Sequence, residues 1–404
     1  MGWVAFWAAP LVLVALLQRV RSCHHRVRIR SIVVYLVVMS VILGATLHVV
    51  AWIAGAVVPP TEVLIVLWFA VLCRLTWTLW RDTVGRWGER YVRLARYRRT
   101  TGAAAPLPVR WIPVARFLLT ALVFVPMLLA FIATHRCKLR DGMTPGSLLS
   151  LKYEHIRIPS TDDLLLDGWF IPDGKSERTI VICHGAGANK GNFAWFLPPL
   201  SRRGYNILMF DFRAHGSSDG RVTTWGIREA EDVIAAVAWL KANRPAAAGT
   251  IIGLGSSQGA MALALAAERD DRIGAMILDS PFVSHRELVR DKAGYVPIVG
   301  PLMADYLLML MSWLGDADFL NVSAERAIAG MTRRPTMIIH GDEDIAMPRE
   351  HSQRLYDAAG GPKAIWFGPG MHSNIVTTAP QEYAKRVLRF IELYCRAEAR
   401  DVRP

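Results

Sequence analysis

The sequence predicts an α/β domain, with a mainly parallel sheet flanked by helices and a small lid insertion, preceded by a helical membrane region. Three observations carry that expectation. From Leu151 onward, short β-rich runs alternate with helical ones. Before residue 140, long apolar runs dominate. Charge divides at the same place: residues 1–140 hold 18 Lys+Arg against 3 Asp+Glu, and residues 141–404 hold 29 against 31. With 52% hydrophobic residues, the 404-residue chain is too apolar for a disordered one. A basic excess confined to the apolar third marks membrane flanks and argues against a nucleic-acid surface.

The membrane region is read over residues 1–140, with spans at 3–17, 31–58, 61–80 and 117–134. The first run lacks a preceding basic residue and a small-residue cleavage site, so it reads as a retained span and not a signal peptide. Arginines gather between spans one and two (Arg19 to Arg30) and between spans three and four (Arg81 to Arg110). The turn at Pro59 and Pro60 has no Lys or Arg. Both basic loops are therefore expected in the cytoplasm, and the domain after span four outside it, in the periplasm if the cell is bacterial. Arg136, Lys138 and Arg140 pull the other way.

Residues 141–150, with Asp141, Gly142, Pro145 and Gly146, read as a linker to a domain over 151–397, followed by a tail at 398–404. Strands are expected at 153–158, 164–171, 179–183, 205–210, 250–254, 275–278, 336–339 and 364–367. Helices are expected at 228–242, 258–267 and 381–395, among others. Five cysteines show neither a disulfide framework nor paired metal-ligand spacing.

Two pentapeptides fit G-x-S-x-G: Gly216 to Gly220 around Ser218, and Gly255 to Gly259 around Ser257. A nucleophilic serine on that motif needs a sharp turn that leaves a strand and opens a helix, with small residues where backbones pass closely. Ser257 follows the β-rich run 250–254 and precedes Ala260-Met261-Ala262-Leu263-Ala264. Ser218 stands several residues beyond its strand and is followed by Arg221, Val222 and Thr223, so Ser257 is the candidate nucleophile.

The serine turn, His184-Gly185-Ala186-Gly187, the loop Asp211-Phe212-Arg213-Ala214-His215-Gly216-Ser217 and Leu278-Asp279-Ser280-Pro281-Phe282 together resemble the α/β-hydrolase fold over roughly residues 150–397. Within it they are similar to membrane-linked serine hydrolases of the Bem46-like type. The resemblance implies a Ser-His-Asp triad in the chain order Ser, acid, His. His340-Gly341-Asp342-Glu343-Asp344 is similar to the family's acid loop, which implies Asp344 as the acid, with Asp342 and Glu343 as rivals. His372, on the loop Phe367 to Asn374, stands where the family carries its imidazole. His340 then reads as a strand-end residue, His351 as part of a solvated helix face, and His184 and His215 as shapers of loops near the pocket. The resemblance places an oxyanion hole at the backbone amides of Gln258 and Ala186, with Gly187 as an alternative to the latter.

A lid insertion is expected at 282–335, where the apolar run Tyr306 to Leu314 reads either as an acyl-accepting or bilayer-facing cap or as a helix buried in its own domain. Val296, Ile298 and Val299 add to it. No phosphate-cradling, paired-His zinc or dinucleotide motif is present, so no cofactor or metal is expected. The expected function is a membrane-anchored serine hydrolase acting on a small or lipid-like acyl ester or thioester. A peptidase or acyltransferase of the same fold is the alternative, and an inactive membrane adaptor the reading from another class.

Overall fold

The computed structural model describes residues 56–57, 122, 125–136, 138–139, 144–293 and 299–395. The expected spans at 3–17 and 61–80, most of 31–58, and the tail at 398–404 lie outside them. All described residues belong to one compact unit, 55–57 with 116–404, so the unit that holds the sheet takes in residues upstream of 151. Among the described residues no helix is long and apolar enough to cross a membrane. Within the run 117–134 the described residues are Leu122 and helix α1, Val125–Thr134. Strand β1 (Ala56–Val57), at the end of the run 31–58, pairs antiparallel with β2 (Lys138–Leu139), so that run is not helical to its end.

The linker expected at 141–150 holds a turn of helix, α2 (Pro145–Leu149). Thr144 Oγ1 accepts from the Ser147 amide and Ser147 Oγ accepts from the Thr144 amide. This is a capping box with serine in the position that usually holds Glu or Gln, which is why the sequence pattern did not announce it.

Eight strands form the main sheet: β3 (Glu154–Pro159), β4 (Leu165–Ile171), β5 (Arg178–Cys183), β6 (Asn206–Phe210), β7 (Thr250–Ser256), β8 (Ile273–Asp279), β9 (Thr336–Gly341) and β10 (Lys363–Gly368). Their order is β10-β9-β8-β7-β5-β6-β4-β3, with β4 antiparallel to both of its neighbours, β3 and β6, and every other pair parallel. Each lies within two residues of its sequence expectation. Period-2 alternation sends Trp169, Ile171, Ile180 and Ile182 into one core layer and Phe170, Val181 and Cys183 into the other. Both layers are buried and apolar, the reason the central strands read as unbroken apolar runs.

The helices on these faces are α3 (Leu197–Ser201), α4 (Glu229–Asn243), α5 (Gln258–Arg269), α6 (His285–Ala293), α7 (Val299–Gly315), α8 (Ala324–Gly330), α9 (Arg349–Ala358), α10 (Ile375–Thr378) and α11 (Pro380–Tyr394). Helix α5 is buried along nearly its whole length, from Gln258 to Ala267. Leu263 is fully buried there, and burial of one such side chain stabilises by about 2 kcal/mol. Strand order reverses at β5, which has β6 on one side and β7 on the other. Loops leaving β5 and β7 therefore open a crevice at their carboxyl ends, the usual ligand position in such sheets.

The insertion 282–335 contributes α6, α7 and α8, with 294–298 outside the described residues. Leu308, Leu310 and Met311 of α7 pack with Ala130 of α1 and with Phe319, while Leu302, Met309 and Trp313 are exposed. The run 306–314 thus has one buried face and one apolar face turned outward. Helix α1 shares this habit: Ala130 and Phe131 are buried, Val125, Leu129 and Ile132 exposed.

Candidate active site

Strand β7 enters α5 through Ser257, whose backbone stands at φ 51° and ψ −112°. A serine there is strained, and its surroundings must hold it. A Cβ on Gly255 would overlap the Gly259 carbonyl, and one on Gly259 would overlap the carbonyl oxygens of Cys183 and His184. The two glycines of the pentapeptide therefore let α5 sit directly on the end of β5.

Ser257 Oγ lies 2.9 Å from His372 Nε2, and His372 Nδ1 lies 2.7 Å from Asp344 Oδ2. The other Asp344 oxygen accepts from the Ala346 and Met347 amides at 2.8 Å each. Burial alone would raise this carboxyl's pKa. Hydrogen bonds from His372 and from the Met347 amide, with the attraction of His372 and His340, outweigh it and hold the carboxyl below its ordinary value. Asp342 and Glu343 tie their loop to the next one through amides bonded to the Gly368 and Gly370 carbonyls at 2.8 and 2.9 Å. The half-exposed Asp342 carboxylate lies 3.8 Å from Arg349. The three side chains singled out in the sequence are brought together, and neither rival carboxylate shows a contact with His372 among the described residues.

Ser218 has other work. Its hydroxyl donates to the Asp211 carbonyl at 2.5 Å and accepts from the Asp167 amide at 2.8 Å, joining a loop to β4. Gly216 of the same pentapeptide has φ 48°, and a Cβ there would overlap the Asp211 carboxylate.

The loop after β5 leans on the serine turn: a Cβ on Gly185 would lie 3.6 Å from Ser257 Cβ. His184 Nε2 accepts from the Phe212 amide at 3.0 Å, and its Nδ1 lies 2.8 Å from the Gly185 carbonyl. His215 Nε2 faces the Gly187 amide at 3.4 Å. Burial, the largest cause in each, lowers the pKa of both imidazoles. Ala186 lies between, and Gln258 opens α5, where a first-turn amide has no acceptor within its helix.

His340 is a buried residue of β9 whose Nδ1 meets Ser352 Oγ at 2.9 Å. His351 departs from expectation. It is buried, accepting the Val283 amide at 3.1 Å through Nδ1 and meeting Asp291 at 2.8 Å through Nε2. Helix α9 turns His351, Ser352 and Leu355 inward, and the lid insertion covers the face that sequence alone left to solvent.

Lys190 and Asp279 are among the buried charged residues that went unread in the sequence. Lys190 Nζ sits 2.7 Å from both Asp167 and Asp211 and 4.7 Å from the centre of the Trp169 ring. Asp279, below the serine turn, accepts the Ser257 amide through its carbonyl at 2.8 Å, while its carboxyl meets Tyr383 at 3.0 Å and Ser280 at 3.1 Å. Burial pushes that carboxyl up to about 6. A lone lysine in a glycine-rich loop and an acid ending an apolar strand were the available signals. Cys183 and Cys395 are buried free thiols, and burial raises both. Among the described residues no cluster of three or more His, Cys, Asp or Glu could hold a metal ion.

A family model described as alpha/beta hydrolase fold matches residues 178–300, from β5 through the serine turn into α7. YqkD of Bacillus subtilis is 31% identical over 242 residues, 58% of this chain and 78% of its own length. The Arabidopsis thaliana alpha/beta hydrolase domain-containing protein WAV2 is 25% identical over 288 residues, 68% of this chain and 87% of its own. Among solved structures, the Pyrococcus furiosus esterase Pf2001 superposes with a TM-score of 0.55 at 26% identity, over 64% of this chain and 96% of that one. The chain belongs to the α/β-hydrolase fold family, and these neighbours support hydrolase chemistry.

Proposed function

We propose that the protein is a membrane-anchored serine hydrolase that cleaves an acyl ester or thioester. The observation that carries this reading is the unbroken hydrogen-bond chain Ser257–His372–Asp344 at a strained strand-to-helix turn. Ser257 Oγ attacks the acyl carbonyl carbon and gives its proton to His372 Nε2. Asp344, held ionised by its hydrogen bonds, fixes the imidazole through Nδ1–H and stabilises the imidazolium. The amides of Ala186 and Gln258 stabilise the oxyanion; the Gly187 amide already faces His215, which favours Ala186 as the second donor. His372 returns the proton to the departing alkoxide or thiolate, leaving an acyl-enzyme. Water, activated by the same imidazole, repeats the steps and releases the acid.

The esterase name of the Pyrococcus furiosus neighbour supports an ester as the substrate class. The outward apolar faces of α1 and α7 support a lipid-like substrate and a site beside the bilayer. The arginine pattern of residues 1–110 supports anchoring by the N-terminal region, with the hydrolase domain outside the cytoplasm. Chromogenic esters of increasing acyl length, offered to the full chain in detergent, test the reading. Turnover should fall by more than about 10⁴ in Ser257→Ala, and a variant that keeps the wild-type rate would refute it.

A further inference from the structure

Arg136 lies at the loop after β5 and carries a charge that has no counter-ion among the described residues. No ion pair or hydrogen bond of its side chain occurs among the described residues, and Nε is buried without a partner. Burial lowers its pKa, a sign that the cation is partly desolvated. Desolvated cations ordinarily hold a carboxylate, as Lys190 and Arg213 do here with Asp167, Asp211 and Asp232.

What Arg136 does have is a platform. Its guanidinium lies 4.5 Å from the centre of the Trp225 ring. Stacking occupies one face of the guanidinium and leaves its in-plane N–H donors for an anion. Trp225 is a strained residue, with φ 53°, fixed from several sides. Its indole donates to the Ala133 carbonyl at 2.9 Å, and its carbonyl meets His285 Nε2 at 3.0 Å. The buried Glu229 carboxylate accepts from the Thr224 and Gly226 amides on either side at 2.9 Å each.

The platform adjoins the reactive centre. A Cβ on Gly187, whose φ is 70°, would come 3.3 Å from Arg136 Nη1, and one on Gly185 would come 3.6 Å from Ser257 Cβ. The two glycines flank Ala186 in one loop, so the guanidinium and the serine turn meet the same three-residue stretch. Thr223, bonded to the Thr134 carbonyl, also meets the Gln258 side chain at 3.3 Å, tying the end of α1 to the same turn.

We propose that Arg136, stacked on Trp225, binds a phosphate or carboxylate group carried by the acyl substrate and so selects anionic esters. The proposal rests on the serine-hydrolase reading of the same site. The anion can sit on the acyl side or the alcohol side of the scissile bond, and the test separates these.

The full chain in detergent, as wild type, Arg136→Gln and Arg136→Lys, is assayed on two substrate pairs. The acyl-side pair is p-nitrophenyl hydrogen glutarate against p-nitrophenyl butyrate. The alcohol-side pair is 1-butyrylglycerol 3-phosphate against 1-butyrylglycerol. In one pair Arg136→Gln should lower kcat/KM for the anionic ester at least tenfold, through KM, while the neutral ester changes less than twofold. Arg136→Lys should restore part of the loss. Equal effects on anionic and neutral esters in both pairs, or no effect, would overturn the proposal. Inorganic phosphate titrated calorimetrically should bind wild type and not Arg136→Gln; equal binding would likewise overturn it. If wild type hydrolyses none of the four esters, the serine-hydrolase reading fails instead, and the phosphate titration still decides whether Arg136 is an anion site.

Discussion

At the scale of single residues, the site depends on which carboxylate holds His372. Asp344 carries no covalent chemistry, so Asp344→Asn should fold and still lose on the order of 10⁴ in turnover, because the amide cannot hold the productive tautomer. Asp342→Asn should stay within a few-fold, since Asp342 faces Arg349. The reverse ranking in an ester assay would reassign the acid. Ser257 was legible because its turn demands glycines where backbones collide, a requirement that leaves a sequence trace. Asp344 and His372 were legible only through family resemblance, since no local pattern distinguishes Asp344 from Asp342. His351 was misjudged because an imidazole on a short amphipathic helix looks the same whether water or the lid insertion covers it.

At the scale of elements, buried charges between strands and loops decide how the site is held. Lys190 anchors the loop after β5 to Asp167 of β4 and to Asp211 after β6. Lys190→Met leaves the buried Asp211 carboxylate without its cation, while Asp167 keeps His155 and Arg157, and should cost about 3–5 kcal/mol, read as a fall in thermal midpoint. An unchanged midpoint would show that the network is slack. Asp279 gives a pH signature. Its folded pKa, pushed up to about 6 chiefly by burial, lies above the ordinary carboxyl value of 3.8, so the fold prefers the protonated acid. The stabilisation is complete below about pH 4 and is lost as pH rises through 6. Asp279→Asn removes this titration, so the variant's midpoint minus that of wild type should grow between pH 4 and pH 6 and then level off. Parallel curves would contradict the buried-acid account. The strands were readable because β-rich runs bounded by turn residues leave little ambiguity. The small α2 and the buried lysine were not, because a serine-for-glutamate box and a paired charge have no periodicity to detect.

At the scale of the whole molecule, the compact unit that holds the sheet takes in residues from Arg116 onward. The division of charge at residue 140 does not coincide with the start of that unit. It did not reveal that α1 packs with α7 of the lid insertion, since apolar helices bound for lipid and for a protein partner carry the same composition. The arginine pattern predicts a side: Lys175→Cys, exposed in a background without native cysteines, should react with a membrane-impermeant maleimide in intact cells or spheroplasts. Protection until the membrane is permeabilised would place the domain in the cytoplasm. The central claim, that Ser257 is the nucleophile, is met most directly by covalent labelling of the full chain with a fluorophosphonate probe. Wild type should label, Ser218→Ala should label despite losing two buried hydrogen bonds, and Ser257→Ala should not. Undiminished labelling of Ser257→Ala would contradict the account.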